Sequence, residues 1–236
     1  MQQPTLTSSF QRGLAAALLM AASVPGFAAD YSAGLTLGSQ GGGAVVSTRL
    51  PWKLMGHDQF QLRAQFAGLD GDLDDFDSVN VKGIDYDDGE LSTYSAQIGL
   101  DWYPFKSWAD EIFVSGGLIW QKTDIEGNAD VGDALNVGGQ HLAANSLESL
   151  SLDANQQGVN PYLSVGWGNR LEAEPGFDFM MELGLIFPMR DADVSMAAVD
   201  PNQVLNAGSL ARERKEVEDK LEDVQGLAMI TVAYHF

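Results

Sequence analysis

Carboxylates are the side chains in this sequence that stand most obviously ready for chemistry. The stretch LDGDLDDFDSVNVKGIDYDDGE, residues 69–90, gathers Asp70, Asp72, Asp74, Asp75, Asp77, Asp85, Asp87 and Asp88 against one basic residue, Lys82. Oxygen-rich loops of this kind suit hard cations. A tuned calcium loop counted from Asp70, however, asks for glycine at the sixth place and glutamate at the twelfth, where this chain has Asp75 and Val81. The stretch therefore reads as a solvated acidic loop. It can hold divalent cations loosely, or raise the local concentration of cationic solutes around a mouth.

Other chemistry is thinly represented. The three histidines, His57, His141 and His235, show no ligand spacing, and cysteine is absent, so neither a zinc site nor any cofactor is expected. No serine lies in a nucleophile motif, which argues against a lipid-modifying hydrolase and against catalysis in general. Gly41–Gly43 read as a tight hairpin loop rather than a phosphate cradle, because AVVSTRL follows as a strand and not as a helix. A formal charge of −20 opposes nucleic acid as a partner and favours cations.

The elements that carry these residues announce themselves by alternation. The chain ends in ITVAYHF, an apolar strand that finishes on Phe236. A last strand needs a neighbour on each side, and a terminal aromatic suits an interface between oil and water; both needs are met by closure of a membrane barrel. YSAGLTLG sets Tyr31, Ala33, Leu35 and Leu37 against Ser32, Gly34, Thr36 and Gly38. QFQLRAQF, LSTYSAQIGLDW and GFDFMMELGLIF repeat that period of two. AVVSTRL, EIFVSGGLIW, NPYLSVGWG and the C-terminal LAMITVAYHF complete a set of eight, with Gly and apolar residues on the inner face of EIFVSGGLIW. The expectation is an all-β fold: an eight-stranded antiparallel up-and-down transmembrane β-barrel. A soluble sandwich would place its apolar face inside, but here large aromatics gather at strand ends, where membrane girdles belong.

Connections fix the orientation. PWKLMGHD, YPFKSWAD and NRLEAEPG are short and read as periplasmic turns; Leu69–Glu90, Thr123–Gln157 and Met189–Val224 read as long extracellular loops. The last of these holds one short helix, SLARERKEVEDKLEDVQ, with Ser209 as N-cap and a stripe of Leu210, Val217, Leu221 and Val224 that could lie over the mouth as a lid. In this register Arg49, Arg63, Asp101, Asp178, Glu182 and His235 face the lumen. Charges in so narrow a space must pair or be wet, and Arg63 with Glu182 is the expected pair. At the N-terminus, Arg12, the apolar run Leu14–Val24 and Pro25-Gly26-Phe27-Ala28 read as a signal peptide of residues 1–28, leaving residues 29–236 as the barrel.

Laid out in this way, the chain resembles the CarO-type family of small barrels, with barrels of the OmpW and OmpX kind as wider relatives. The likeness rests on LGSQGGGAVV, on YSAQIGLDWYPF through FVSGGLIW, on NPYLSVGWG followed by GFDFMMELGLIFP, and on LARERKEVEDKLED before the final strand. The resemblance implies an eight-stranded barrel in the outer membrane of a Gram-negative bacterium, associated with passage of basic amino acids and some carbapenems. Two functions are then expected. The leading one is a narrow passive channel for small cationic or zwitterionic solutes such as ornithine. The other is a non-conducting structural or surface-interaction barrel with an ion-paired lumen, whose acidic loops bind cations, lipopolysaccharide or a partner. The implied surroundings are outer-membrane lipid, lipopolysaccharide and, during biogenesis, the barrel-assembly machinery, with the protein as a monomer.

Overall fold

The structure, a computed structural model, describes residues 31–51, 59–72, 79–81, 84–105, 109–168 and 175–236. The signal-peptide reading, His57 and the acidic residues Asp74, Asp75 and Asp77 lie outside the described residues. In chain order the strands are β1 (Tyr31–Gly38), β2 (Gly41–Leu50), β3 (Gln59–Asp72), β4 (Val79–Val81), β5 (Ile84–Tyr103) and β6 (Ile112–Ala129). They continue with β7 (Leu135–Val137), β8 (Gln140–Leu142), β9 (Ser149–Gly168), β10 (Gly176–Ile186), β11 (Asp193–Val199) and β12 (Gln225–His235). A helix, α1 (Ala207–Glu222), precedes β12.

Eight of these strands form a ring, β1-β2-β3-β5-β6-β9-β10-β12, every pairing antiparallel. The C-terminal strand closes it: β12 pairs with β1 from Ser32↔His235 to Gly38↔Met229, and the Phe236 N–H donates to the Tyr31 carbonyl at 3.0 Å. Closure leaves no sheet edge around the ring, the condition for placing strands in hydrocarbon. The expected barrel is therefore present.

Alternation decides which face meets which solvent. Leu35, Leu37, Phe66, Ile98, Leu118, Leu163, Leu183 and Val232 point outward; Leu183 is 67 % exposed and Phe177 75 %. Their inward neighbours Thr36, Gln65, Gln97, Ser164, Glu182 and Thr231 are buried. A water-soluble barrel would have these faces exchanged, so the outer belt is one that hydrocarbon would solvate. Aromatics cluster at its short-turn end, where Phe177, Tyr234 and Phe236 stack edge to face at 5.2 Å centroid spacing.

Three boundaries differ from the sequence reading. The first hairpin turns on Ser39 and Gln40 alone, while Gly41–Gly43 already belong to β2; Gly41 has φ +90°, a conformation that glycine alone adopts freely. Much of the first two segments expected as long loops is strand, since β5 and β9 run 20 residues each and β6 runs 18, while Met189–Val224 holds β11 and α1. At ~3.3 Å per residue a 20-residue strand spans about 65 Å, far more than a ~30 Å hydrocarbon layer requires even with tilt, so this wall of the barrel rises well above the belt. Finally, α1 begins at Ala207 with Asn206 as N-cap, its side chain accepting from the Gly208 N–H at 2.8 Å. Ser209, expected as the cap, lies inside the helix and is buried. Asn206 has the extended backbone that a cap requires, and it adds a turn to the helix.

Above the belt a second core assembles. β11 pairs with the first half of β9, and α1 packs on the inner face of that extension. Leu150, Leu152 and Ala154 of β9, Val194 of β11, Leu135, Val137 and Leu142 of the small β7–β8 hairpin and Val217 of α1 are buried together. This cap stands over the lumen.

Candidate functional site

The lumen is filled in layers, each built from inward positions. Nearest the short turns, Tyr103, Phe113 and Met180 pack together, with the two rings 5.5 Å apart. Asp178 and His235, also at this end, are buried on the inner face, and Arg49 stands on the same face opposite Gln61.

At the next level Arg63 reaches across the barrel. Its Nη1 lies 2.6 Å from Glu182 Oε2, a close ion pair rather than a well-aligned hydrogen bond, and its Nη2 donates to Asp101 Oδ1 at 3.1 Å. β3 and β10 are four steps apart in either direction round the eight-membered ring, so this bridge joins opposite walls. Ser115 and Tyr162 complete the layer: Arg63 Nη2 is 3.4 Å from Ser115 Oγ, which shares a hydrogen with the Tyr162 hydroxyl at 3.1 Å. Ser164 Oγ donates to Glu182 Oε1 at 2.5 Å, and the guanidinium also stacks 5.5 Å from the Phe113 ring centre. Exposures of 2 % for Arg63, 0 % for Asp101 and 3 % for Glu182 show that the groups are sealed by their neighbours. Gly99 and Gly166 make room for that sealing, because a Cβ at either position would collide with the Tyr162 hydroxyl or the Phe113 ring.

Above the charged layer an apolar cluster covers the wall made by β6, β9, β10 and β12, with Gln65 and Gln97 buried on the neighbouring β3 and β5. Ile119, Ile186, Leu227 and Met229 close over Tyr162, and Gln65 lies among them with its amide 2.8 Å from the Met229 sulfur. Together these side chains fill the lumen above the ion pair, so a solute arriving from this side meets packed side chains. Over them stands a layer of glutamines, Gln121, Gln156 and Gln225, beneath α1.

The sequence-derived residues thus divide. Arg63, Asp101 and Glu182 meet, with Arg63 and Glu182 paired as the signs and parity suggested. Asp178, His235 and Arg49 occupy the same inner face nearer the short-turn end. Asp70 does not line the mouth: it sits on the outward face and accepts from the Tyr94 hydroxyl at 2.9 Å. Asp72, Asp85, Asp87 and Asp88 fall within β3 and β5, and Phe236 serves as the seam of the closed barrel. Among the described residues no three His, Asp or Glu side chains gather as a metal site. Ser115, Tyr162 and the glutamines were not singled out from sequence, although Ser115 and Tyr162 alternate with the outward residues of their strands.

No protein-family model and no curated protein matches the sequence. Solved structures do match the fold, two CarO crystal structures among them. The crystal structure of Acinetobacter baumannii CarO superposes with a TM-score of 0.58 at 16% identity, covering 87% of this chain and 97% of that one. CarO2 from the same organism gives 0.59 at 16% identity, covering 89% and 100%.

Proposed function

We propose that this chain, a barrel with the fold of CarO, is an outer-membrane protein whose lumen is closed to free diffusion and whose work is done by its extracellular cap and acidic surface. The observation that carries this reading is the Arg63–Glu182 bridge between opposite walls, buried beneath side chains that include the apolar cluster of Ile119, Ile186, Leu227 and Met229. Passage would require separating buried opposite charges and displacing the side chains packed above them, two costs that add in series. Residues 1–28 would direct export, the short turns would face the periplasm, and the cap would face outward as a monomer among lipopolysaccharide. The barrel-assembly machinery would recognise the strand that ends in Phe236. No catalytic role is part of the reading.

One observation favours the channel for small cationic or zwitterionic solutes as a second reading. The charged layer sets two carboxylates against one guanidinium, so the lumen centre carries the sign that would favour ornithine over glutamate. Flux through refolded protein in liposomes separates the two. The closed reading expects ornithine, glutamate and a neutral amino acid of similar size to enter no faster than into empty liposomes, with folding checked by heat-modifiable migration. Ornithine entry above that level, suppressed by salt, would establish the channel and overturn the closed barrel.

A further inference from the structure

The glutamine layer ties the helix to the barrel. Gln121 (β6) donates from Nε2 to Gln225 Oε1 at 3.1 Å, and Gln225 (β12) donates onward to Gln156 Oε1 at 3.1 Å. Gln156 (β9) and Gln225 then both donate to one backbone oxygen, that of Leu221, at 2.9 and 3.3 Å. Leu221 stands in the last turn of α1, where helix carbonyls have no partner within the helix. The chain of amides therefore runs across the mouth from β6 and β9 to β12 and ends on the helix above.

The surroundings give this contact a mechanical role. Only Asp223 and Val224 separate α1 from β12, so the C-terminal end of the helix is fixed at the rim and its movement must pivot there. Its N-terminal half is held by the β7–β8 hairpin: Glu213 Oε2 accepts the Gly138 N–H at 2.6 Å and Gln140 Oε1 accepts the Asn206 N–H at 3.0 Å. Glu222 Oε1 accepts the Ala192 N–H at 3.3 Å on the other side. Val217, midway along, is buried in the cap core.

We propose that Gln121, Gln156 and Gln225 are the latch of a lid, α1, which pivots at Asp223–Val224 to uncover the mouth. The inference rests on the closed-lumen reading for what the lid covers, and it makes the latch a barrier separate from the Arg63 bridge. The sequence has no cysteine, so one introduced thiol reports alone. In Val217→Cys protein folded in liposomes, reaction with a maleimide reads the opening of α1. Gln156→Ala with Gln225→Ala should raise the labelling rate roughly tenfold or more, with heat-modifiable migration retained. Gln156→Glu, which keeps the volume but removes the donor to Leu221, should raise it in the same direction. Labelling at the parent rate in both variants would overturn the latch. Flux is measured in parallel: ornithine entry through the parent protein would defeat the closed-lumen reading, while the labelling comparison would still decide the latch.

Discussion

Arg63→Met leaves two buried carboxylates in one layer of the lumen without their counter-charge, and the resulting loss of stability can be bounded from the geometry. Asp101 and Glu182 are 0 % and 3 % exposed and share the single guanidinium. Removing one partner of such a buried pair typically costs about 3–5 kcal/mol, because the remaining charge is left desolvated and unpaired. Glu182→Gln is the contrasting change. It forfeits the 2.6 Å ion pair, worth about 1.5–3 kcal/mol as a charge-assisted contact, but it also removes the surplus negative charge and leaves Arg63 with Asp101 at 3.1 Å. The two effects are of similar size, so the net change should stay within about 1 kcal/mol of the parent. A triple variant, Arg63→Met with Asp101→Asn and Glu182→Gln, should recover most of what Arg63→Met loses, since the members of one network are not additive. Equilibrium unfolding by urea in lipid vesicles, followed by fluorescence of the five tryptophans, measures all three. Arg63→Met as stable as the parent, or Glu182→Gln losing as much as Arg63→Met, would refute the account of the buried pair.

Two further outcomes are expected away from the lumen. Leu150 is fully buried in the cap core, so Leu150→Ala should cost about 2–5 kcal/mol, confined to the cap. Limited proteolysis should then cut the cap while the barrel keeps its heat-modifiable migration. Asp200 accepts the Leu205 N–H at 2.7 Å, and this bond with neighbouring N–H groups holds its carboxyl below the usual range. A lowered folded value means that the turn's stabilisation is complete above the ordinary carboxylate pKa of about 3.9 and disappears as pH falls through the lowered value. The protection factor of the Leu205 amide should drop on acidification across that window in the parent, and stay level in Asp200→Asn.

How much of this was legible in the sequence follows from what enforces each part. In the belt, an apolar outer face and packed side chains inside punish any slip of one residue, so parity alone placed Arg63, Asp101 and Glu182 on the inner face and counted the ring correctly. Signs then suggested Arg63 with Glu182, although nothing in the spacing says that β3 and β10 are opposite; that follows only from closure of the ring. Asp101 joined them because β5 is the neighbour of β3, in a register that pairs Arg63 with Gly99 and leaves Asp101 one inward step away. The cap was illegible for the converse reason. Above the belt, β6 and β9 have water on the outer face and protein on the inner, so QKTDIEGNA and SLSLDANQQG carry polar outward residues and read as loop, though they are the most extensively paired part of the sheet. Along β6 the outer face changes from Leu118 to Asp124 and Glu126, while the inner face stays apolar through Leu150, Leu152 and Ala154 of β9. Alternation alone, without an apolar outer face, continues these strands upward. With them comes the cap core, and with that core a reason for Val217 of α1 to face inward over the glutamines.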